Sequence, residues 1–168
     1  MDAMEAILSR RSIRKYTKQL VPENLINELL MAGMAAPSAR NEQPWHFVVV
    51  TDHKILDEIP SFHPFSKMLP EAPVAIVVCA DTSTLNDVYW VEDCSAATEN
   101  ILVAARAMGL GAVWLGVFPN AARVKSMQKL FGLPEKVIPV GIISLGFPGE
   151  EKPPADRYDV KRVHHNKW

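Results

Sequence analysis

The chain has 168 residues, of which 48% are hydrophobic, and its formal net charge is −1. This composition predicts one globular domain over residues 1–168 with a substantial buried core. The balanced charge argues against nucleic acid or an anionic membrane as a partner, so any anion site is expected to be local. The N-terminus carries no apolar signal segment, and the longest apolar run, residues 74–80, is too short to span a bilayer. These features predict a cytoplasmic protein.

Helical and extended patterns alternate along the chain, without internal repeats or a linker long enough to separate two domains. A capping box of Asp2 and Glu5 predicts a first amphipathic helix, and Pro22 suits the first turn of a second one. The remaining predicted helices follow Asp52 and cover 92–108 and 124–131, and the predicted strands cover 47–50, 74–78, 112–115 and 140–145. The strand over 74–78 is apolar on both faces, which predicts a central position in the sheet.

Two features favour a second copy of the chain as a partner. The helix over 92–108 carries apolar or small residues nearly all round, which indicates burial on several sides. Residues 149–168 form a polar, proline-rich tail that nevertheless ends in Trp168. Such a tail is typical of a segment that packs across a second subunit, so a homodimer is expected.

A basic cluster lies directly behind the first helix, where four cations fall within residues 10–15. Like charges repel, so this crowding indicates a bound anion, and a phosphate dianion fits best because arginine binds it through charge-assisted hydrogen bonds. A solvated helix end is the alternative. The candidate residues of this cluster are Arg10, Arg11, Ser12 and Arg14.

A second polar cluster, residues 36–45, closes the second helix and enters the first strand. Its short polar side chains include Ser38 and Asn41, and prolines flank them at Pro37 and Pro44. A rigid turn of this composition suits the presentation of hydroxyl and amide donors to a polyol or a ring. An ordinary helix-to-strand turn is the alternative.

Several familiar motifs do not fit. Residues 109–114 resemble a dinucleotide-binding glycine loop, but they run from a helix into a strand, whereas that fingerprint needs a strand followed by a helix. Neither a triphosphate-binding loop nor a serine nucleophile elbow is present in the sequence. Cys79 and Cys94 are predicted to be buried thiols, and the five histidines lack a metal-ligand spacing, so no metal site is predicted.

Segments of the chain resemble, in order, those of the nitroreductase family of FMN-dependent flavoproteins, and the resemblance covers nearly the whole chain. The matching segments are RRSIRKY (10–16), APSARNEQPW (36–45), SKMLPEAPVAIVVCAD (66–81), GLGAVWLG (109–116) and RVHHNKW (162–168). The resemblance implies an α+β fold in which helices wrap a mixed central sheet. It also implies an intertwined homodimer with two FMN sites at the subunit interface.

The resemblance carries family roles onto particular positions of this chain. The residues that would hold the FMN phosphate and the nearby flavin edge are Arg10, Arg11, Ser12, Lys161 and Arg162. Those assigned to the pyrimidine edge, where negative charge accumulates on hydride uptake, are Arg14 and Lys67.

Two further sets follow from the same resemblance. The turn that would reach the cofactor from the partner subunit contains Pro37, Ser38 and Asn41. Leu115 and Gly116 match the stretch that passes the flavin N5, where a backbone amide can donate to that nitrogen and a glycine lets the main chain approach closely.

The implied reaction is a ping-pong transfer: NADH or NADPH gives a hydride to flavin N5, and an oxidised acceptor such as a nitroaromatic or a quinone then takes it. No catalytic side chain is expected, because the flavin carries the chemistry. Two alternatives are a specialised flavoenzyme of the same family, for reductive dehalogenation or flavin fragmentation, and a flavin-binding module without turnover.

The sequence departs from the family pattern in two places. Pro64 stands near a position where the family often has a polar side chain toward the pyrimidine edge, and Ser66 or backbone groups are the candidates to replace it. The segment 81–93 is also short, so that Tyr89 and Trp90 either wall an open pocket or pack beneath the neighbouring helix.

Overall fold

The computed structural model describes residues 1–83, 85 and 88–168, and over these residues the chain forms five α-helices around a four-stranded sheet. The helices are α1 Ala3–Ser9, α2 Glu23–Met34, α3 His53–Glu58, α4 Trp90–Ala107 and α5 Ala121–Phe131. The strands are β1 Trp45–Val50, β2 Val74–Asp81, β3 Gly111–Gly116 and β4 Val137–Gly146. Each helix and strand predicted from the sequence is confirmed, with boundaries that shift by a few residues.

Side-chain caps fix the starts of several helices. Asp2 accepts from the backbone N–H of Glu5 at 2.9 Å, and Asp52 accepts from that of Lys54 at 2.9 Å. Each of these bonds satisfies an N–H that has no partner within its own helix. Pro22 occupies the residue before α2 rather than its first turn, because its backbone is still extended there.

The sheet has the strand order β1-β2-β4-β3, and neighbouring strands pair antiparallel. β2 is therefore central, as predicted, and β3 lies at an edge. The α+β fold class is confirmed, whereas the sheet differs in one detail from the mixed sheet that the resemblance implies. Among the described residues, parallel pairing is confined to an isolated bridge between Ser12 and Ala112.

Hydrophobic side chains cover both faces of the sheet. Ile76 and Val78 of β2 pack with α2 and α4 on one face, while Val77 and Cys79 pack with residues of α3 and α5 on the other. A strand that is buried on both faces reads as a continuous apolar run, which is why β2 was recognisable in the sequence.

The two cysteines are fully buried free thiols, as predicted. Burial raises the pKa of Cys79 and of Cys94 to about 12, because the low-dielectric interior disfavours a thiolate. Their side chains therefore act as small core residues.

The last twenty residues contain a single turn of 3-10 helix, Val160–Arg162, among the residues described. Their large apolar side chains are solvent-exposed, including Tyr158 at 77% and the fully exposed Trp168. Within the described ranges, the longest helix is too short or too polar to cross a membrane.

Candidate functional site

One cavity of about 430 Å³ brings together four of the residues predicted to bind a cofactor. Arg14 enters it from the N-terminal segment, Lys67 from the turn after α3, and Leu115 and Gly116 from the end of β3. The other residues that line it are His63, Pro64, Phe65, Met68 and Trp114. The cavity thus combines two cations with an apolar and aromatic wall, a composition typical of sites for small organic ligands.

Gly116 lines this cavity, and its backbone polar groups point away from the sheet. β3 is an edge strand, and the N–H of Val117 donates to Val140 O of β4 at 3.1 Å. Hydrogen-bonded positions alternate along an antiparallel ladder, so the N–H and the C=O of Gly116 both point away from β4. On that outer side the carbonyl meets His63, which itself lines the cavity.

Neither the backbone conformation nor the packing of this chain requires a glycine at position 116. Its φ lies outside the left-handed region, and a Cβ added there would meet no atom within 4 Å. Gly116 therefore leaves open space beside an outward-facing amide. A flat ligand could approach the main chain closely at this point.

Two side chains from different elements hold the Gly116 carbonyl. His63 Nε2 lies 2.9 Å from this oxygen, and Arg123 donates to it through Nη1 at 3.1 Å. A carbonyl oxygen only accepts, so the His63 Nε2 must carry the proton. The Arg123 guanidinium also lies over the Phe65 ring, 5.4 Å from its centroid.

The protonation of His63 follows from its surroundings. The residue is 1% exposed, and its Nδ1 is buried without a hydrogen-bond partner among the described residues. Burial is the main cause that lowers the His63 pKa, and the positive charge of Arg123 lowers it further. The ring is therefore neutral near pH 7, with its proton on Nε2.

The turn that carries His63 is fixed by its own hydrogen bonds. The His63 N–H donates to Ile59 O at 3.0 Å, and its carbonyl accepts from the N–H of Ser66 at 3.1 Å and from Ser66 Oγ at 2.7 Å. Ser66 is fully buried and does not line the cavity. Ser66 therefore supports the turn from within, and the polar side chains of this turn that line the cavity are His63 and Lys67.

A second cavity, of about 370 Å³, contains Arg10 and Arg11 together with Arg106 and Lys152. Arg10 forms an ion pair with Glu99 of α4, at 3.3 Å between Nε and Oε1. Arg11 donates to Pro153 O at 3.1 Å and to Leu8 O at 3.1 Å. The predicted basic cluster is thereby divided, since these two arginines lie at this cavity while Arg14 lies at the other.

Ser12, between these arginines, lines neither cavity among the described residues. Its backbone pairs with Ala112 of β3, and its carbonyl accepts from Lys152 Nζ. Two residues further on, the backbone N–H of Arg14 donates to Glu150 Oε1 at 2.6 Å. This hydrogen bond is the main cause that lowers the pKa of Glu150. Glu150 and Lys152 thus hold residues 12–14 in place beside β3.

The turn over Pro37, Ser38 and Asn41 lines neither cavity. Ser38 Oγ accepts from the Gln43 N–H at 3.0 Å, and Asn41 has a left-handed backbone with φ 56°. The Ala39 N–H donates at 2.9 Å to the carboxylate of Asp93, a buried residue of α4. The turn is therefore held rigidly against α4, and the Ser38 hydroxyl keeps its own proton to donate.

Lys161 and Arg162 lie in the tail, outside both cavities. The Arg162 side chain is 83% exposed, and its Nε lies 3.4 Å from Asp159 Oδ2. The structure of one chain therefore does not bring these cations to Arg14 and Lys67.

Trp90 and Tyr89 differ in their surroundings. The Trp90 ring packs edge-on against Phe118, with 4.8 Å between centroids, and contacts the hydrophobic core. Tyr89 is 54% exposed, and neither residue lines the two cavities. Packing is thus the role that the structure gives Trp90. Residues 84, 86 and 87 of the short segment before it lie outside the described part of the chain.

His63 and Arg123 were missed as site residues by reasoning from the sequence. His63 is 53 positions from Gly116 in the chain, and no local pattern links the two. Arg123 is one of several basic residues on α5, and only its contact with Gly116 O distinguishes it.

Comparisons with known proteins identify the family to which the chain is similar. A family model described as "Nitroreductase family" matches residues 7–63 and 61–147. A Methanothermobacter thermautotrophicus protein named "Putative NADH dehydrogenase/NAD(P)H nitroreductase" is 51% identical, over 100% of this chain and 88% of its own length.

Solved structures lead to the same family. The FMN-dependent nitroreductase of Clostridium difficile R20291 has a TM-score of 0.92 and 31% identity, with 98% of this chain and 99% of that chain covered. The NADPH:FMN oxidoreductase of Vibrio harveyi, solved with NAD+, has a TM-score of 0.87 and 29% identity, with 99% and 77% covered. The resemblance inferred from the sequence is confirmed, and the chain belongs to the nitroreductase family.

Proposed function

We propose that this chain is an FMN-dependent NAD(P)H oxidoreductase that reduces a nitroaromatic, a quinone or another small oxidised acceptor. The observation that carries the proposal is the cavity in which the outward amide of Gly116 lies together with Arg14 and Lys67. Relatives whose names contain FMN-dependent nitroreductase and NADPH:FMN oxidoreductase support the same activity.

The residues of the cavity fit an FMN ring. Gly116 leaves room beside a backbone donor, and Phe65, Trp114 and Leu115 supply apolar surface for a flat heterocycle. Bound FMN supplies hydride transfer, a reaction that no protein side chain performs. The cavity residues that would hold it are Arg14, Lys67, Leu115 and Gly116.

The two cations have a clear electrostatic role. Arg14 and Lys67 both line the cavity and bring positive charge to it. Such charge favours the additional negative charge that a reduced ring carries, and it does so without reorganisation during the reaction. The cations would therefore favour the half-reaction in which NAD(P)H reduces the ring.

The cavity gives no sign of an acid–base pair. Among the described residues that line it, the titratable side chains are Arg14, His63 and Lys67. His63 has its Nε2 proton committed to Gly116 O. An oxidoreductase whose cofactor carries the reaction does not need such a pair, which agrees with the proposal.

We infer that the functional unit is a homodimer. Helices α1 and α2 expose apolar side chains that a second copy would cover, and the tail exposes more of them. The exposed side chains are Met4, Ile7, Leu8, Met31, Met34, Tyr158, Val160, Val163 and Trp168.

The dimer would also complete the cofactor site. The turn of Pro37, Ser38 and Asn41 and the tail cations Lys161 and Arg162 line neither cavity of one chain. A partner copy would bring its turn and its tail to the cavity of its neighbour. The assembly mass from light scattering, for the full chain and for a chain without residues 161–168, tests this inference; a stable FMN-loaded monomer would contradict it.

An anaerobic visible spectrum tests the oxidoreductase proposal. Purified protein should show the oxidised-flavin band at about 450 nm, and NADH or NADPH should bleach it. A nitroaromatic or quinone should then restore the band. A band that persists with both nucleotides would leave a flavin-binding module without turnover, and analysis of products would detect dehalogenation or flavin fragmentation.

A further inference from the structure

Arg123 is a cation beside the cavity to which the proposed function gives no role. Its Nη1 donates to Gly116 O at 3.1 Å, and its guanidinium lies over the Phe65 ring, 5.4 Å from the centroid. Gly116 and Phe65 both line the cavity. Arg123 therefore borders the cavity through two residues of its wall.

Most of the Arg123 guanidinium remains available to a ligand. A guanidinium carries several N–H donors, and among the described residues the Gly116 carbonyl is its hydrogen-bond acceptor. Within the described chain, no unpaired nitrogen of Arg123 is buried, so a ligand can reach these donors. The residue is only partly exposed, and its two contacts hold its charge beside the cavity.

The cavity collects positive charge without a matching carboxylate. Arg14 and Lys67 line it, and neither Asp nor Glu is among its described lining residues. In the described part of the chain, neither these two cations nor Arg123 forms an ion pair, and Glu150 binds the backbone N–H of Arg14. The charge of Arg123 also acts at His63 in the wall, where it contributes to the lowered pKa. In a chain of net charge −1, this concentration of cations favours an anionic ligand.

The charges of FMN do not account for Arg123. Arg14 and Lys67 are the cations assigned to its ring, and the cations predicted for its phosphate lie elsewhere in the chain. Arg123 is thus available to the molecule that takes electrons from the ring. A guanidinium matches a carboxylate especially well, because its planar group can donate two parallel hydrogen bonds.

We propose that Arg123 is a specificity-determining residue that binds a carboxylate of the electron acceptor, so that the chain prefers planar acidic acceptors, such as nitrobenzoates, to neutral ones. This inference rests on the proposed function, because it takes the reduction of a small acceptor at this cavity as given. Phe65, Trp114 and Leu115 supply apolar surface for the ring of such an acceptor.

The carboxylate of the acceptor is not changed by the reaction. A nitro group takes a proton and the hydride that NAD(P)H gives up, loses water and becomes a nitroso group, while the nucleotide leaves as NAD(P)+. The carboxylate keeps its charge throughout, so its contact with Arg123 is as strong before the reaction as during it. Loss of that contact should therefore raise KM and leave kcat nearly unchanged.

The test compares para-nitrobenzoate with para-nitrobenzamide as acceptors for the FMN-loaded protein. The two molecules have similar shapes and differ in charge, and their ratio of kcat/KM is compared between variants, so that their different intrinsic reactivities cancel. Arg123→Met should lower this ratio about tenfold, through KM for para-nitrobenzoate, because a charge-assisted hydrogen bond is lost at a partly screened position. Arg123→Lys keeps the charge without the planar group and should lower the ratio only about threefold.

Lys125→Met is the matched control, since it removes an exposed cation of the same helix that lines neither cavity. It should keep the wild-type ratio, and a loss as large as that of Arg123→Met would show that net charge alone sets the preference. Equal losses for both acceptors in Arg123→Met would mean that Arg123 merely supports the wall. Either result would overturn the inference.

The phosphates of NAD(P)H are a second source of negative charge at this cavity. Anaerobic reduction of the bound flavin at increasing NADH or NADPH concentration measures the affinity for the nucleotide without any acceptor. Arg123→Met should change this affinity less than about twofold. A tenfold loss of about the size expected for one charge-assisted bond, with an unchanged acceptor ratio, would assign Arg123 to the nucleotide and overturn the inference.

Benzoate binding separates this inference from the proposed function, because benzoate has no group that the enzyme would reduce. By calorimetry, the wild-type protein loaded with FMN should bind benzoate about tenfold more tightly than benzamide, and Arg123→Met should remove the difference. This preference in a wild-type chain whose flavin NAD(P)H does not bleach would contradict the proposed function alone. A wild-type chain that turns over both acceptors and binds benzoate and benzamide equally would overturn the inference alone.

Discussion

The two ends of β3, at Gly111 and at Gly116, differ in how closely the rest of the chain packs against them. At one end the Ile13 N–H donates to Ala112 O at 3.0 Å, and a Cβ added to Gly111 would lie 2.7 Å from Ile13 Cγ2. At the other end a Cβ added to Gly116 would meet nothing within 4 Å. Gly111 is thus required by packing within the chain, while Gly116 is left open toward a cavity. An edge strand can therefore be covered by its own chain at one end and left open to a cavity at the other.

Removing both cations at the open end of β3 should give the largest loss of FMN affinity. Arg14→Met and Lys67→Met should each weaken FMN binding by about tenfold, because a charge-assisted hydrogen bond contributes about 1.5–3 kcal/mol and solvent screening reduces this at exposed positions. The double variant should lose about a hundredfold, measured by quenching of flavin fluorescence on binding.

Lys125→Met is the matched control, since Lys125 is an exposed cation of α5 that lines neither cavity. It should bind FMN like the wild type. A double variant that also binds like the wild type would place the cofactor away from the open end of β3.

The tail, residues 149–168, should contribute to FMN binding in the cavity of the partner subunit. Arg162→Met should weaken FMN binding by about ten- to a hundredfold if its guanidinium binds the phosphate in the dimer. Arg157→Met, another exposed arginine of the same tail, should have no such effect. Equal FMN affinities of the two variants, measured by titration of the dimer, would show that Arg162 does not bind the cofactor.

The smallest effect concerns the pH dependence of stability. The folded protein lowers the pKa of His63 below its ordinary 6.5, mainly through burial, so the unfolded chain binds a proton more readily than the folded one. The free energy of unfolding should therefore fall as pH drops below about 6.5. His63→Gln should remove this part of the loss, since glutamine does not titrate.

Urea unfolding at pH 7.5 and 5.5 measures the difference between wild type and His63→Gln. His53→Gln should keep the wild-type pH dependence, since this exposed residue controls for the loss of one histidine. A wild-type curve parallel to that of His63→Gln would mean that His63 titrates normally in the folded chain.

Local patterns predicted the elements of this fold well. Caps at Asp2 and Asp52, and the apolar run of β2, depend on neighbours within a few residues, so they are visible in the sequence. The position of β3 at the sheet edge could not be predicted, because strand order depends on contacts between distant segments.

The candidate site was only partly predictable for the same reason. Arg14, Lys67 and Gly116 were assigned through a family resemblance, and the structure brings them to one cavity. The contact of His63 and Arg123 with Gly116 O joins three separate elements, so composition and spacing do not reveal it. Ser66, which the sequence offered as a cavity donor, is instead bonded to the His63 carbonyl.

The most direct test is a paired measurement of FMN affinity and thermal unfolding on Gly111→Ala and Gly116→Ala. Gly111→Ala should lose about 1–3 kcal/mol of stability, because the buried Ile13 leaves no room for a methyl group. Gly116→Ala should keep or slightly gain stability and lose at least about tenfold in FMN affinity, because its methyl group would enter the space meant for the ring. Unchanged FMN affinity in Gly116→Ala would contradict the assignment of the open end of β3 to the cofactor.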